Sequence, residues 1–169
     1  MKEGRIYLDL DGVLADFDRG IRELCGMEPL PQNGKRNPKQ DDLMWEAIRK
    51  VDHFYDRLKL MPGAGDLFDE IRKQYGDRCE ILTGIPKPER GITTAGEDKI
   101  SWVHRVFSPD VRVHIVLREE KINYCTGPDT ILIDDREKTI RKWQEKGGTG
   151  ILHTGASDTL RILREKGWI

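Results

Sequence analysis

Five short apolar runs, each closed by a breaker or a charge, constrain this chain more than any other feature. They are "RIYLDLD" (Arg5–Asp11), "RCEILT" (Arg78–Thr83), "VRVHIVL" (Val111–Leu117), "TILID" (Thr130–Asp134) and "GILH" (Gly150–His153). Runs of this length, rich in Ile, Leu and Val, read as strands covered on both faces. Amphipathic stretches follow the later ones. "GAGDLFDEIRKQYG" sets Leu67, Phe68, Ile71 and Tyr75 at helical spacing and stops at Gly76, a candidate C′ glycine. "GEDKISWVHRVFS" puts Ile100, Val103 and Phe107 on one face, and "REKTIRKWQEKGG" carries Ile140 and Trp143 ahead of a glycine pair. "SDTLRILREKG" offers Ser157 as an N-cap, then Leu160 and Leu163. Strand–helix alternation predicts an α/β fold, a parallel sheet of about five strands with helices on both faces.

The interval from Arg19 to Leu60 breaks this rhythm and is too long for one crossover helix. "PLPQNGKRNPKQDD" within it reads as loop, flanked by helices at about Arg19–Cys25 and Asp42–Val51. The expected organisation is a core of residues 1–17 and 61–169, interrupted after the first strand by a small helical cap, residues 18–60. A second breaker-rich loop, Gly84–Asp98, follows the second strand directly. There are no internal repeats.

Bulk properties exclude several classes. The 169 residues suffice for one domain with a real core. A net charge of −1 argues against stable binding of duplex nucleic acid, which takes a much more basic surface. No apolar run approaches the roughly 18 residues of a membrane span. The N-terminus, "MKEGRIYLDLDG", enters the first strand without a signal-peptide pattern. Cys25, Cys79 and Cys125 are widely spaced with no CxxC, so neither a disulfide framework nor a zinc site is expected. The cytoplasm is the expected default location.

The chemistry gathers at the ends of the strands. Asp9 and Asp11 close the first, Thr83 and Gly84 the second, Arg118 to Lys121 follow the third, and Asp134 and Asp135 end the fourth. A parallel sheet brings these ends to one edge, where ligands bind. Clustered carboxylates suit a hard cation that keeps some waters, Mg²⁺ rather than Zn²⁺. A hydroxyl, backbone N–H groups and a lysine suit a phosphate, and a carboxylate beside them can attack phosphorus. On an extended strand Asp9 and Asp11 share a face, roughly 6–7 Å apart. Asp16 and Asp18 read as acids serving the start of a helix. Phe17, Trp45, Phe54 and Tyr55 are candidate walls for a nucleobase. Trp102 and Trp143 read as packing, and the four histidines show no ligand spacing.

In order, these motifs resemble the four motifs of the haloacid dehalogenase-like (HAD) hydrolases, from Ile6 to Asp135. More narrowly, "DLDGVLADFD", "MPGA", "ILTG", "GEDKISWV", "VLREEK" and "LIDDREKTI" resemble the 5′(3′)-deoxyribonucleotidase family. The resemblance implies a Rossmann-like, HAD-like core with a cap. It implies Asp9 as nucleophile, and Asp11 as general acid and then base, its backbone carbonyl also on Mg²⁺. It gives Thr83 and the Gly84 N–H a grip on the phosphate, and Lys121 the neutralising charge, with Arg118 a rival. Asp134 and Asp135 would hold the metal, Lys99 would reach the phosphate, and Phe17 would line the base or sugar pocket. Gly84 stands where the family usually has Ser, and "PQNGKRNPKQ" has no counterpart in it.

The function so implied is a Mg²⁺-dependent phosphomonoesterase for nucleoside monophosphates, deoxyribonucleotides favoured, with a homodimer compatible. The alternatives are a HAD phosphatase for a small sugar phosphate or a 3′-phosphorylated polynucleotide end, the latter hinted at by the basic "NGKRNPK". A non-catalytic phosphate-binding module is third. The intact set of Asp9, Asp11, Thr83, Lys121 and Asp134 counts against it.

Overall fold

The computed structural model describes residues 3–169. Five strands, β1 (Arg5–Leu8), β2 (Cys79–Gly84), β3 (Val113–Val116), β4 (Thr130–Asp134) and β5 (Thr149–Leu152), form one parallel sheet in the order β3-β2-β1-β4-β5. β1 is central, with Leu8 in register with Ile81 on one side and Ile133 on the other. The chain leaves β1 for β2 and β3, then crosses back to β4. That reversal of direction opens a crevice at the carboxyl ends of β1, β2 and β4.

Six helices cover the sheet and its edge: α1 (Phe17–Cys25), α2 (Pro38–Arg49), α3 (Ala64–Tyr75), α4 (Ala95–Val106), α5 (Glu137–Glu145) and α6 (Ala156–Glu165). The pleat of β1 splits its side chains between two cores. Ile6 and Leu8 join Leu67, Ile71, Trp102, Val103 and Leu163 of α3, α4 and α6. Tyr7 faces the other way and packs with Leu132, Ile140 and Trp143. Trp143 is fully buried and its indole N–H donates to the Thr130 carbonyl at 3.1 Å, so its polar atom is satisfied inside the core. Truncating a side chain of that size costs about 3–5 kcal/mol. Trp102 is buried on α4 and donates to the Leu58 carbonyl at 2.8 Å, pinning the segment after α2 as well as packing its helix.

Among the boundaries that differ from the sequence expectation, three bear on the site or on helix caps. The first strand ends at Leu8 rather than Asp11. The Leu10 carbonyl accepts the N–H groups of Val13, Leu14 and Ala15 at 3.2, 2.9 and 2.9 Å, and Gly12 takes φ +81°, so the chain curls off the sheet. Asp9 and Asp11 are therefore not neighbours on one strand face. α2 begins at Pro38, inside the stretch expected to be loop. The Asn37 side chain caps the N–H groups of Lys39 and Gln40 at 2.9 and 3.3 Å, and Pro38 occupies the first helical position, where no donor is needed. α6 begins at Ala156, so Ser157 lies within the helix and Gly155 stands at the cap.

Asp16 caps α1 by accepting from the Arg19 N–H at 3.2 Å, and Asp18 sits in its first turn, as expected. The stretch between β1 and α3 then folds back over the sheet edge. Met44, Ile48 and Phe54 enter the main core, and Asn33 accepts from the Glu137 N–H at 3.0 Å while donating to the Asp135 carbonyl at 2.9 Å. Among the described residues no helix is long and apolar enough to cross a membrane.

Candidate active site

Asp9 is the first residue past β1. Its N–H still bonds the Ile133 carbonyl at 2.9 Å, which holds it on the sheet edge, buried to 6% exposure. Lys121 reaches it from the 3₁₀ turn Arg118–Tyr124 that follows β3. Its ammonium donates to Asp9 Oδ1 and to Asp134 Oδ2, both at 2.8 Å. Burial works against that charge, but the carboxylates of Asp9 and Asp134 outweigh it and hold the lysine above its ordinary range. Asp134 is fully buried at the end of β4, and its other oxygen accepts the Arg136 N–H at 2.9 Å.

Asp135 completes an acidic trio. Asp9, Asp134 and Asp135 each offer a carboxylate oxygen, all within 4.8 Å of one another. Oδ1 of Asp135 is buried with no hydrogen-bond partner. Burial first, then the charges of Asp9, Asp134 and Asp11, push its pKa up to about 9. The Lys121 ammonium, with the Arg136 charge nearby, does not balance three carboxylates, and one oxygen of Asp135 has no partner. The residues thus fit a cation, and an all-oxygen donor set fits Mg²⁺. The Asp11 carboxylate stands outside this trio and pairs elsewhere.

Lys99 organises the other half of the site. It lies one turn into α4, 1% exposed, and donates to Asp11 Oδ2 at 2.9 Å, Thr83 Oγ1 at 2.9 Å and the Gly84 carbonyl at 2.7 Å. Its ammonium also lies 4.7 Å from the centroid of the Tyr55 ring. The start of α4 is fixed by Asp98, which bonds Thr94 Oγ1 at 2.7 Å and His53 Nδ1 at 2.8 Å. Burial raises the Asp11 carboxyl against the pull of Lys99, and Asp11 Oδ1 is left without a partner.

A crevice of about 390 Å³ opens over Asp9, Asp11, Gly84 and Lys121, in the size range of organic-ligand sites. Trp45 and Tyr55 supply its aromatic wall. Phe17 does not line it. Its ring packs edge-on against Phe54 and stacks with Tyr55, at centroid distances of 5.7 and 6.3 Å, so it backs the wall from behind. Phe54 is core. A larger hollow of about 490 Å³ lies outside α2, between Leu43, Glu46 and Glu89, but holds none of the converging acids.

The structure therefore brings together Asp9, Asp11, Thr83, Gly84, Lys99, Lys121, Asp134 and Asp135, with Trp45 at the rim. Sequence reasoning missed Arg36, Lys87, Arg90 and Arg136, all of which line the crevice. Arg36 lies in the basic stretch "NGKRNPK", and Arg136 directly follows the Asp pair. Those were the available signals. The histidines play no part at the crevice. His153, for example, is buried and bonded to Thr159 Oγ1 at 2.7 Å.

No protein-family model matches the chain. It is 26% identical over 151 residues to the mitochondrial 5′(3′)-deoxyribonucleotidase of Homo sapiens, covering 78% of this chain and 62% of that one. It is 28% identical over 134 residues to a putative 5′(3′)-deoxyribonucleotidase of Vibrio phage KVP40, covering 79% of this chain and 66% of that one. The chain thus spans just under two thirds of the length of these curated relatives. A HAD-superfamily hydrolase from Ehrlichia chaffeensis shares the fold, with a TM-score of 0.52 at 15% identity over 98% of each chain. In sequence the chain is similar to the deoxyribonucleotidases, and in fold to the HAD hydrolases.

Proposed function

We propose that this chain is a Mg²⁺-dependent phosphomonoesterase for nucleoside monophosphates, deoxyribonucleotides favoured, working through an aspartyl-phosphate. The observation that carries this reading is the setting of Asp9. It is a buried carboxylate held by Lys121 at 2.8 Å, within an acidic trio whose oxygens fit a cation, at the floor of a crevice of ligand size. The similarity to deoxyribonucleotidases supports the substrate class. Residues 18–60 form the cap, whose Trp45 and Tyr55 offer apolar faces to a base.

A carboxylate oxygen of Asp9 attacks phosphorus, and the bond from phosphorus to the ester oxygen breaks. The leaving alkoxide takes a proton from Asp11, whose burial favours a proton-carrying form. Water then attacks the phosphorus of the aspartyl-phosphate and gives its proton to Asp11, which releases inorganic phosphate and restores Asp9. Lys121 orients Asp9 and offsets the phosphoryl charge. Thr83 already accepts from Lys99, and its O–H, barely engaged at 3.5 Å from the Gly84 carbonyl, is free to turn onto a phosphoryl oxygen. Asp9, Asp134 and Asp135 would hold Mg²⁺, which when bound would supply the charge that lets an anionic nucleophile approach an anionic ester.

The test is release of phosphate from p-nitrophenyl phosphate and from a panel of deoxyribonucleoside and ribonucleoside monophosphates. Turnover that requires Mg²⁺ and disappears in Asp9→Asn is expected. Full activity in excess EDTA, or in that variant, overturns the mechanism.

A further inference from the structure

A second, smaller hollow of about 130 Å³ lies beside the crevice. Its charged walls are Arg118, Arg136, Lys138 and Lys142, with Glu119 the single acid. Arg118, Glu119 and Arg136 line both hollows, so the small one adjoins the large one. Lys138 and Lys142 are four apart on α5, which places them on the same side of the helix.

Such a grouping repels itself, whereas several arginines elsewhere in the chain are held in ion pairs. Arg72 bonds Asp110 at 2.8 Å, Arg90 bonds Asp42 at 2.6 Å, and Arg105 bonds Asp56 at 2.6 Å. Among the described residues the side chains of Arg118, Arg136, Lys138 and Lys142 make no ion pair and no hydrogen bond. One scissile phosphoryl group already finds Lys121, Thr83 and the metal trio in the crevice, and Arg136 already feels the charge of Asp134, Asp135 and Asp9, so Arg118, Lys138 and Lys142 are surplus to it. The hollow is also well below the roughly 300 Å³ at which sites for whole organic ligands begin. It has room for one anionic group attached to something seated in the crevice.

We infer that this hollow receives a second phosphate of the substrate. The preferred substrates are then nucleotides with two phosphates, either a free nucleoside bisphosphate or the phosphorylated end of a strand whose next phosphodiester reaches the hollow. The scissile group lies over Asp9. The planar forks of Arg118 and Arg136 and the ammoniums of Lys138 and Lys142 take the other. This inference rests on the phosphatase reading and specifies the substrate class of the same site.

The experiment compares kcat/KM for thymidine 5′-monophosphate, thymidine 3′,5′-bisphosphate, and thymidine dinucleotides bearing a 5′- or 3′-terminal phosphate. Each is run on the unmodified protein and on Lys138→Gln/Lys142→Gln. At least a tenfold preference for a doubly charged substrate is expected. It should weaken steeply with salt, as added phosphate contacts do, and fall toward one in the double variant. A preference confined to the bisphosphate identifies a free nucleotide as the source. One confined to the dinucleotides identifies a strand end. Equal kcat/KM for all substrates, or a preference untouched by the double substitution, overturns the subsite and leaves the phosphatase reading standing. If nothing is turned over, the phosphatase reading fails by itself. Calorimetry then decides the subsite, since tenfold tighter binding of the bisphosphate than of the monophosphate supports it and equal binding overturns it.

Discussion

Gly12 passes so close to Asp135 that a Cβ on Gly12 would lie 2.0 Å from Asp135 Oδ2. The glycine also takes φ +81°, a backbone region that costs other residues about 1–3 kcal/mol. Its turn sends the chain off the sheet and leaves room for the Asp135 carboxylate, proposed above to hold the metal. Gly12→Ala should therefore lower stability by about 1–3 kcal/mol and displace Asp135. Thermal melts with and without Mg²⁺ check this, since the variant should lose the Mg²⁺-dependent rise in Tm expected of the unmodified protein. A variant that keeps that rise shows that Asp135 does not need the space.

Asp135 should make the metal-free protein pH-sensitive. Its folded pKa is pushed up to about 9 by burial and by the charges of Asp9, Asp134 and Asp11, against about 3.9 in an unfolded chain. A raised folded pKa means that the native state binds the proton more tightly than the unfolded state does. The contribution is complete below about pH 4 and is lost as pH rises towards 9. In EDTA, Asp135→Asn should remove this loss and raise Tm at pH 8, while abolishing stabilisation by Mg²⁺. In the unmodified protein saturating Mg²⁺ should add about 2.7 kcal/mol at a hundred times its Kd. An Asn variant that melts below the unmodified protein in EDTA at pH 8 would contradict this account of the trio.

Much of this site was legible because parallel strands end on one edge. β4 was read to the residue, Thr130–Asp134, and with it the position of Asp134. Asp9, Thr83 and Lys121 followed from the same rule. What the sequence left unread depends on contacts that no local pattern encodes. The end of β1 is set by three N–H groups converging on the Leu10 carbonyl. The start of α2 was hidden because Asn37 and Pro38 signal a helix start and a loop equally well. Lys99 is placed at the phosphate by the resemblance alone, because nothing local separates it from a surface lysine on an amphipathic helix; α4 meeting the end of β2 buries it against Asp11 and Thr83. Phe17 was placed at the pocket by resemblance, but Phe54 and Tyr55 hold its ring behind the wall.

Lys99 is the buried counter-charge of Asp11, with the Thr83 hydroxyl and the Gly84 carbonyl also on its ammonium. Replacing it with an apolar side chain of similar length removes the cation and leaves these acceptors in the interior. Breaking a buried pair from one side costs about 3–5 kcal/mol. In a chain of this size that is a fall in Tm of roughly 6–20 °C. Lys99→Met should show this loss in EDTA, and Asp11→Asn/Lys99→Met should recover part of it because no unpaired charge remains. A double variant no more stable than the single would mean that Lys99 is held chiefly by Thr83, Gly84 and the Tyr55 ring.

Gly84 is the position where the resembling family usually carries Ser, and nothing in its surroundings demands glycine. Its φ is not in the left-handed region, and an added Cβ would meet Arg118 Cα at 3.5 Å, an ordinary contact. Gly84→Ser should therefore fold normally. By reducing the freedom of the unfolded chain it should gain up to about 1 kcal/mol in stability. The new hydroxyl would stand at the end of β2 beside Thr83, where the phosphoryl group is proposed to lie, and supply a second side-chain donor. One added hydrogen bond to a charged group contributes about 1.5–3 kcal/mol, so KM for p-nitrophenyl phosphate should fall by roughly tenfold or more. Steady-state kinetics alongside a thermal melt separates the outcomes. A stable Gly84→Ser protein with unchanged KM would place the phosphoryl group away from the end of β2.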